Sequence, residues 1–144
     1  MFIKVVIDTN IWISALINPF GYPAKLRKHF ENGDFAAVIS EPILDEIVDV
    51  LSRPKIKDKY EITPEDIREL LTLIEERAEY VLISGDINIC RDKDDNLIIE
   101  TAIKGETSYL VTRDDDIKFD KKVSLFLSQH GISVLTVAKF LKLM

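Results

Sequence analysis

Asp8, Glu46, Asp95 and Asp114 are acids from separated parts of the chain that one kind of chemistry could use together. Asp8 ends the β-branched run Val5-Val6-Ile7, and Asp114 stands two residues beyond Thr112, which closes Tyr109-Leu110-Val111-Thr112. Asp95 ends Asp92-Lys93-Asp94-Asp95 at the start of a helical pattern, and Glu46 lies one turn into another that opens at Ser40-Glu41-Pro42. Carboxylates gathered in one place repel, and each disfavours ionisation of the next, so a fold that collects them needs positive charge among them. No motif fixes a Lys there, and Cys90, His29 and His130 are too few for a Cys/His zinc site. Oxygen-only ligation suits a hard divalent cation, Mg²⁺ or Mn²⁺. Such an ion lowers the pKa of a bound water and offsets charge on a phosphoryl oxygen, singly or as a pair roughly 3.5–4 Å apart. Phosphodiester hydrolysis is the reaction this set fits.

Each acid also has a plainer reading. Asp, Asn and Thr after a strand are common helix caps, Glu46 falls at the edge of an apolar helix face, and Asp114-Asp115-Asp116 alone is an ordinary exposed loop. Capping does not require the acids to share one end of a sheet. Whether they do depends on the elements that carry them.

Those elements alternate. Short apolar runs predict strands over 2–7, 35–39, 80–83, 109–112 and 131–135. Between them the spacing predicts helices over 11–17 and 23–30, then one from Ser40 through Leu51 with Ile43, Leu44, Ile47, Val50 and Leu51 on a shared face. Thr63-Pro64-Glu65-Asp66 is a start signal for a helix through Ala78. Asp95 begins another, which Gly105 closes, and short helices follow over 123–127 and 137–143. Strands alternating with helices predict an open parallel sheet covered on both sides. In such sheets the working crevice lies beyond the carboxyl ends of the strands, where the four acids fall.

The 144 residues suit one compact domain, and 47% apolar composition is that of a folded protein. With 25 Asp+Glu against 19 Lys+Arg the formal charge is -6, which excludes a protein that holds nucleic acid by bulk positive charge. No apolar stretch approaches the roughly 20 residues of a membrane span. Met1-Phe2-Ile3-Lys4 runs straight into a strand pattern without a leader-like segment, and the lone Cys90 fits a reducing compartment, so the expected location is cytoplasmic.

Val6-Ile7-Asp8-Thr9-Asn10, Ser40-Glu41-Pro42-Ile43-Leu44-Asp45-Glu46-Ile47, Asp92-Lys93-Asp94-Asp95-Asn96 and Tyr109-Leu110-Val111-Thr112-Arg113-Asp114 resemble, in order and spacing, the motifs of the PIN-domain family. The similarity is greatest to the toxin components of toxin–antitoxin systems, and Leu51-Ser52-Arg53-Pro54-Lys55-Ile56 also resembles that branch. The resemblance spans essentially the whole chain. It implies a single nuclease domain over 1–144, a three-layer α/β/α sandwich with a central, mostly parallel five-stranded sheet. It further implies an endoribonuclease acting on single-stranded RNA with Mg²⁺ or Mn²⁺, a 5′-phosphate and a 3′-hydroxyl product, a homodimer and an antitoxin partner. On that implication Asp8, Glu46, Asp95 and Asp114 match the acidic centre and Asp116 a more variable acid, while Thr9, Asn10, Ser40 and Thr112 match supporting polar positions. Lys93 replaces the Pro that the third motif of this branch often carries.

The cations are few but grouped: Arg53, Lys55, Lys57 and Lys59 around Pro54; Lys25, Arg27 and Lys28 on the second helix; Arg91, Lys93 and Arg113 beside the acids. They are solvated faces or a phosphate path. Trp12 is expected to be partly buried, and Phe20 and Tyr22 to serve as core, stacking or dimer contacts. Two rival classes are testable against these residues. A phosphotransfer enzyme would want an Asp two residues after Asp8, where Asn10 stands, and Walker and Gly-x-Ser-x-Gly motifs are absent. A non-catalytic PIN-like module binding protein or RNA remains the alternative.

Overall fold

A computed structural model of the chain describes residues 3–144, with the backbone alone at position 116. Phe2, predicted to head the first strand, lies outside the described residues. The elements run β1 (Lys4–Ile7), α1 (Thr9–Ile17), α2 (Tyr22–Glu31), β2 (Ala36–Ile39), α3 (Glu41–Ser52), α4 (Pro54–Lys59), α5 (Pro64–Arg77) and β3 (Glu79–Tyr80). They continue with α6 (Lys93–Lys104), β4 (Tyr109–Val111), α7 (Asp115–Lys118), α8 (Lys121–Gln129), β5 (Ser133–Leu135) and α9 (Val137–Leu141).

All strand pairs are parallel and the sheet order is β3-β2-β1-β4-β5. Parallel strands buried on both faces read as continuous apolar runs, and Val5, Val6 and Ile7 of the central β1 are almost wholly enclosed. Right-handed crossovers put the helices joining β1, β2 and β3 on one face and those joining β3, β4 and β5 on the other. The packing agrees: α1 lies against α2 and α3, α2 against α9, and α6 across β1, β2 and β4. A file of aromatic rings links these layers, from Trp12 to Phe30 (5.3 Å between centroids), Phe35 (6.0 Å), Phe140 (5.2 Å) and Tyr109 (5.9 Å). Trp12 is therefore core, more buried than expected. The direction of chain progression reverses between β1 and β4, and a ligand crevice opens at such a switch point.

Three differences from the predicted elements have local causes. The third strand covers 79–80 rather than 80–83. Val81 N–H still bonds the Ile39 carbonyl (3.0 Å), but Glu100 of α6 then draws the chain off the sheet edge by accepting from the amides of Ser84 (2.6 Å) and Gly85 (2.8 Å). Gly85 follows with φ +83°, a conformation that only Gly adopts freely. Helix α6 starts at Lys93 instead of Asp95, because the Asp92 carboxylate caps it by accepting from Asp94 N–H (2.9 Å). The short helices α4 and α7 occupy segments for which no helix is predicted, α7 beginning inside the Asp114-Asp115-Asp116 run read as an exposed loop.

Helix α5 begins as its sequence demands, with Thr63 and Asp66 closing a reciprocal capping box (3.1 and 2.9 Å). Helix α6 ends at Gly105, where an added Cβ would stand 2.5 Å from Val38 Cγ1 of β2. That close approach lets α6 lie flat on the sheet. Among the described residues no helix is long and apolar enough to cross a membrane.

Candidate metal centre

Asp8 stands where β1 ends. Its N–H bonds the Val111 carbonyl (3.0 Å) of the neighbouring β4, and its own carbonyl accepts from Ile11 N–H (3.0 Å) of α1. It thus holds the N-cap position of α1, yet its side chain makes no N-cap hydrogen bond. The carboxylate instead accepts from the Thr112 hydroxyl (2.6 Å), just past β4. Thr112 Oγ1 in turn accepts from Asp114 N–H (3.0 Å). One fully buried hydroxyl therefore ties the β1 acid to the β4 acid.

Asp95 lies in the first turn of α6, 5% exposed, and is hydrogen-bonded to the Asp114 carboxyl. Its Oδ2 is buried with no hydrogen-bond partner among the described residues. Native interiors rarely leave such an acceptor alone. Glu46, half-buried on α3, accepts from the Thr9 hydroxyl (3.1 Å) at the start of α1. Asp94, on the turn that carries Asp95, bears on Glu46 electrostatically and lines a small cavity of about 100 Å³ with it. All four predicted acids therefore occupy the carboxyl end of the sheet.

Their protonation reflects that crowding. Burial raises the Asp8 carboxyl above its ordinary 3.8, against the Thr112 hydroxyl and the Thr9 amide, and the Asp114 charge adds to the rise. Burial likewise raises Glu46, opposed by its Thr9 bond and reinforced by Asp94, Asp8 and Asp92. Asp95 is pushed up to about 7, first by burial, then by the hydrogen bond and charge of Asp114, then by Asp92 and Asp8. Carboxylates pushed up together by burial and by one another, beyond the end of a sheet, mark a candidate functional site.

The donors are all oxygens, and the Asp95 oxygen without a partner is the kind of atom a hard cation satisfies. Among the described residues, though, no group of three or more His, Cys, Asp or Glu side chains is already drawn together around one point. The acids stand as linked pairs: Asp8 with Asp114 through Thr112, and Asp95 with Asp114 directly. The donor set fits Mg²⁺ or Mn²⁺ in kind. The Asp116 side chain lies outside the described residues.

The supporting positions divide. Thr9 and Thr112 bond the acids, whereas Ser40 bonds Thr101 (2.7 Å) and so joins the end of β2 to α6. Asn10 is exposed, its carbonyl accepting from Arg113 (3.3 Å), which also bonds the Ser14 hydroxyl. Arg113 is thereby laid along α1 beside Asp8. Arg27 is paired within α2 to Glu31 (3.2 Å), and Arg53, just past the end of α3, is paired back to Asp49 (2.7 Å). Asn96 and Glu100 were not anticipated. Asn96 Oδ1 accepts from Ile89 and Cys90 N–H (2.9 and 2.7 Å) and its Nδ2 donates to the Cys90 carbonyl (3.2 Å), so both residues clasp the segment leading into Asp92. Their signal was two polar residues four apart among the apolar positions of one helix.

Residues 4–116 match the family model described as a PIN domain. An uncharacterized protein of Methanocaldococcus jannaschii is 36% identical over 115 residues, 80% of this chain and 73% of that protein. Among solved structures, the crystal structure of VapBC2 from Rickettsia felis, bound to a DNA fragment from its promoter, is similar. Its TM-score is 0.52 at 17% identity, covering 93% of this chain and 98% of that one.

Proposed function

The chain belongs to the PIN-domain family, whose members are generally nucleases, and from that premise we propose that it is a Mg²⁺- or Mn²⁺-dependent endoribonuclease in which Asp8, Glu46, Asp95 and Asp114 hold the ion. Residues 1–144 act as one nuclease domain on single-stranded RNA. The observation that carries this is the buried Asp95 carboxylate, one oxygen without a partner and the group itself bonded to Asp114, beyond the strand ends that present Asp8. When bound, the cation lowers the pKa of a water and offsets charge on the phosphoryl oxygens.

The chain's own residues prepare that site. Thr112 uses its proton on Asp8 and a lone pair on the Asp114 amide, fixing both acids on one atom. Thr9 holds Glu46 against the start of α1. The proton kept by Asp95 must leave before it can serve as an anionic ligand, so ion binding and proton release are coupled. Arg113, exposed beside Asp8, offers positive charge to an incoming phosphate.

The likeness to VapBC2 of Rickettsia felis supports a role as the toxin of a toxin–antitoxin pair with a protein antitoxin as partner; a homodimer as the working form is part of the same proposal. The test is incubation of purified protein with single-stranded RNA, with and without Mg²⁺ or Mn²⁺, beside Asp8→Asn and Asp95→Asn. Metal-dependent cleavage lost in both variants is expected. Cleavage that survives chelation or either substitution overturns the proposal. The carboxylates standing as pairs favour a second reading, a PIN-like module that binds protein or RNA without cutting it. Binding of RNA with no cleavage at millimolar metal selects that reading.

A further inference from the structure

On the helical face away from α6, α2 and α9 enclose a cavity of about 460 Å³. Its floor is aliphatic, from Ala138 and Leu141, and its rim carries Tyr22, Lys25, Lys28 and Lys142. Among the described residues none of these lysines has an acidic partner, and Lys25 stands over the Tyr22 ring at 5.3 Å from its centroid. The fourth cationic candidate, His29, is already matched to Asp34 (2.6 Å). In a chain of net charge -6, three unpaired ammonium groups around one apolar cavity are a local reversal of sign. Tyr22 is 56% exposed, and Phe20, two residues before it, is 89% exposed. Exposed aromatic surface beside an apolar cavity marks an interaction surface.

The chemistry of the rim separates the possible occupants. Single-stranded nucleic acid is held by aromatic faces open for base stacking and by Arg forks that grip phosphate. Here Lys25 stands over one face of the Tyr22 ring, the floor is aliphatic, and among the described residues no Arg lines the cavity. Lysine point charges around an aliphatic floor instead complement carboxylates flanking an apolar side chain. We propose that the α2/α9 groove seats an acidic amphipathic segment of a partner protein, with one Leu, Ile or Phe in the cavity and its Asp or Glu side chains on Lys25, Lys28 and Lys142. The α9 wall lies outside residues 4–116, so the groove is not a feature of the matched family region alone.

The full chain, isotope-labelled, is titrated with three probes while backbone amides are followed by NMR. These are a short Glu-rich peptide with leucines one helical turn apart, its Lys-for-Glu counterpart, and oligouridylate. The Glu-rich peptide alone is expected to shift amides of α2 and α9, less so as salt rises. Lys25→Glu combined with Lys142→Glu should weaken it by about tenfold or more. Ala138→Trp, which fills the cavity from an incompletely buried position, should remove binding, with thermal unfolding confirming that each variant is folded. Shifts produced equally by oligouridylate, or peptide binding unchanged by the charge reversal, would overturn the proposal. Amide shifts that grow with protein concentration alone and vanish in the same variants would assign the groove to a second copy and overturn it as well.

Discussion

At the scale of single residues, Asp95 and Thr112 make opposite contributions. The Asp95 carboxyl, ordinarily near 3.8, is held at about 7 in the folded protein. Between those values the folded chain keeps a proton that the unfolded chain has released, so stability falls as pH rises through that window and levels above it. Asp95→Asn has no such proton to lose. In chelator, its melting temperature should change less than that of the parent across the same window and exceed it above neutrality. Parallel pH profiles would mean that Asp95 does not hold the proton. Thr112→Val removes the one hydroxyl shared by Asp8 and Asp114. Loss of a buried bond to a charged group should cost about 1–3 kcal/mol in chemical denaturation, and activity should fall by about 10–100-fold. Thr112→Ser should restore both, whereas a Ser variant as impaired as Val would make the methyl group, not the hydroxyl, the important part. That Asp8 and Asp114 belong together was legible from their places after apolar runs, since strand ends converge in a parallel sheet. Ser40 turning to Thr101, and Asp92 serving as a cap, were not legible. Each depends on which side of a turn the side chain leaves, and tertiary packing decides that.

At the scale of elements, α6 is the member whose placement controls the site, because its first turn carries Asp95 and its last contacts β2. Gly105→Ala would force a methyl group against Val38, and the near neighbour is a core side chain that cannot swing away. Overpacking of this kind costs about 1–3 kcal/mol, and the helix shift should also lower RNA cleavage. Thr63→Ala is the matched control. It breaks the α5 capping box for about 1 kcal/mol and should leave cleavage per folded molecule unchanged. Equal catalytic loss in both variants would show that stability, rather than the seating of α6, governs the site. The periodic helices and the central strands were readable because burial alone sets their spacing. The third strand was misjudged in length because Tyr80-Val81-Leu82-Ile83 carries the right composition, while what ends it is Glu100, a buried acid from another element. Leu82, 93% exposed, is the visible consequence. Sequence pattern reports a residue's own neighbours and is blind to a carboxylate arriving from outside the segment.

At the scale of the whole molecule, the net charge of -6 is not spread evenly. Asp8, Glu46, Asp95 and Asp114 stand at one end of the sheet, with Asp92 and Asp94 adding to their field, while the lysines of α2 and α9 border the opposite sign of surface. The acidic end is destabilised by its own repulsion, which a divalent cation held there as proposed would relieve only in the folded state, because unfolding disperses the acids. Such linkage stabilises by about 2.7 kcal/mol when metal is at a hundredfold excess over its Kd, roughly 10 °C in melting temperature for a domain of this size. Mn²⁺ or Mg²⁺ should therefore raise the melting temperature of the parent protein. The gain should be larger above neutrality than below it, since the proton on Asp95 competes with the ion. Asp8→Asn should lose most of the gain, whereas a surface change such as Asp49→Asn, at an exposed α3 position paired to Arg53, should keep it. Calorimetry at two pH values with metal and with chelator separates these outcomes. A metal-induced rise that is equal in the parent and Asp8→Asn would place the ion elsewhere. No rise in the parent at millimolar metal would leave the acids without their counter-ion and favour the non-cutting module.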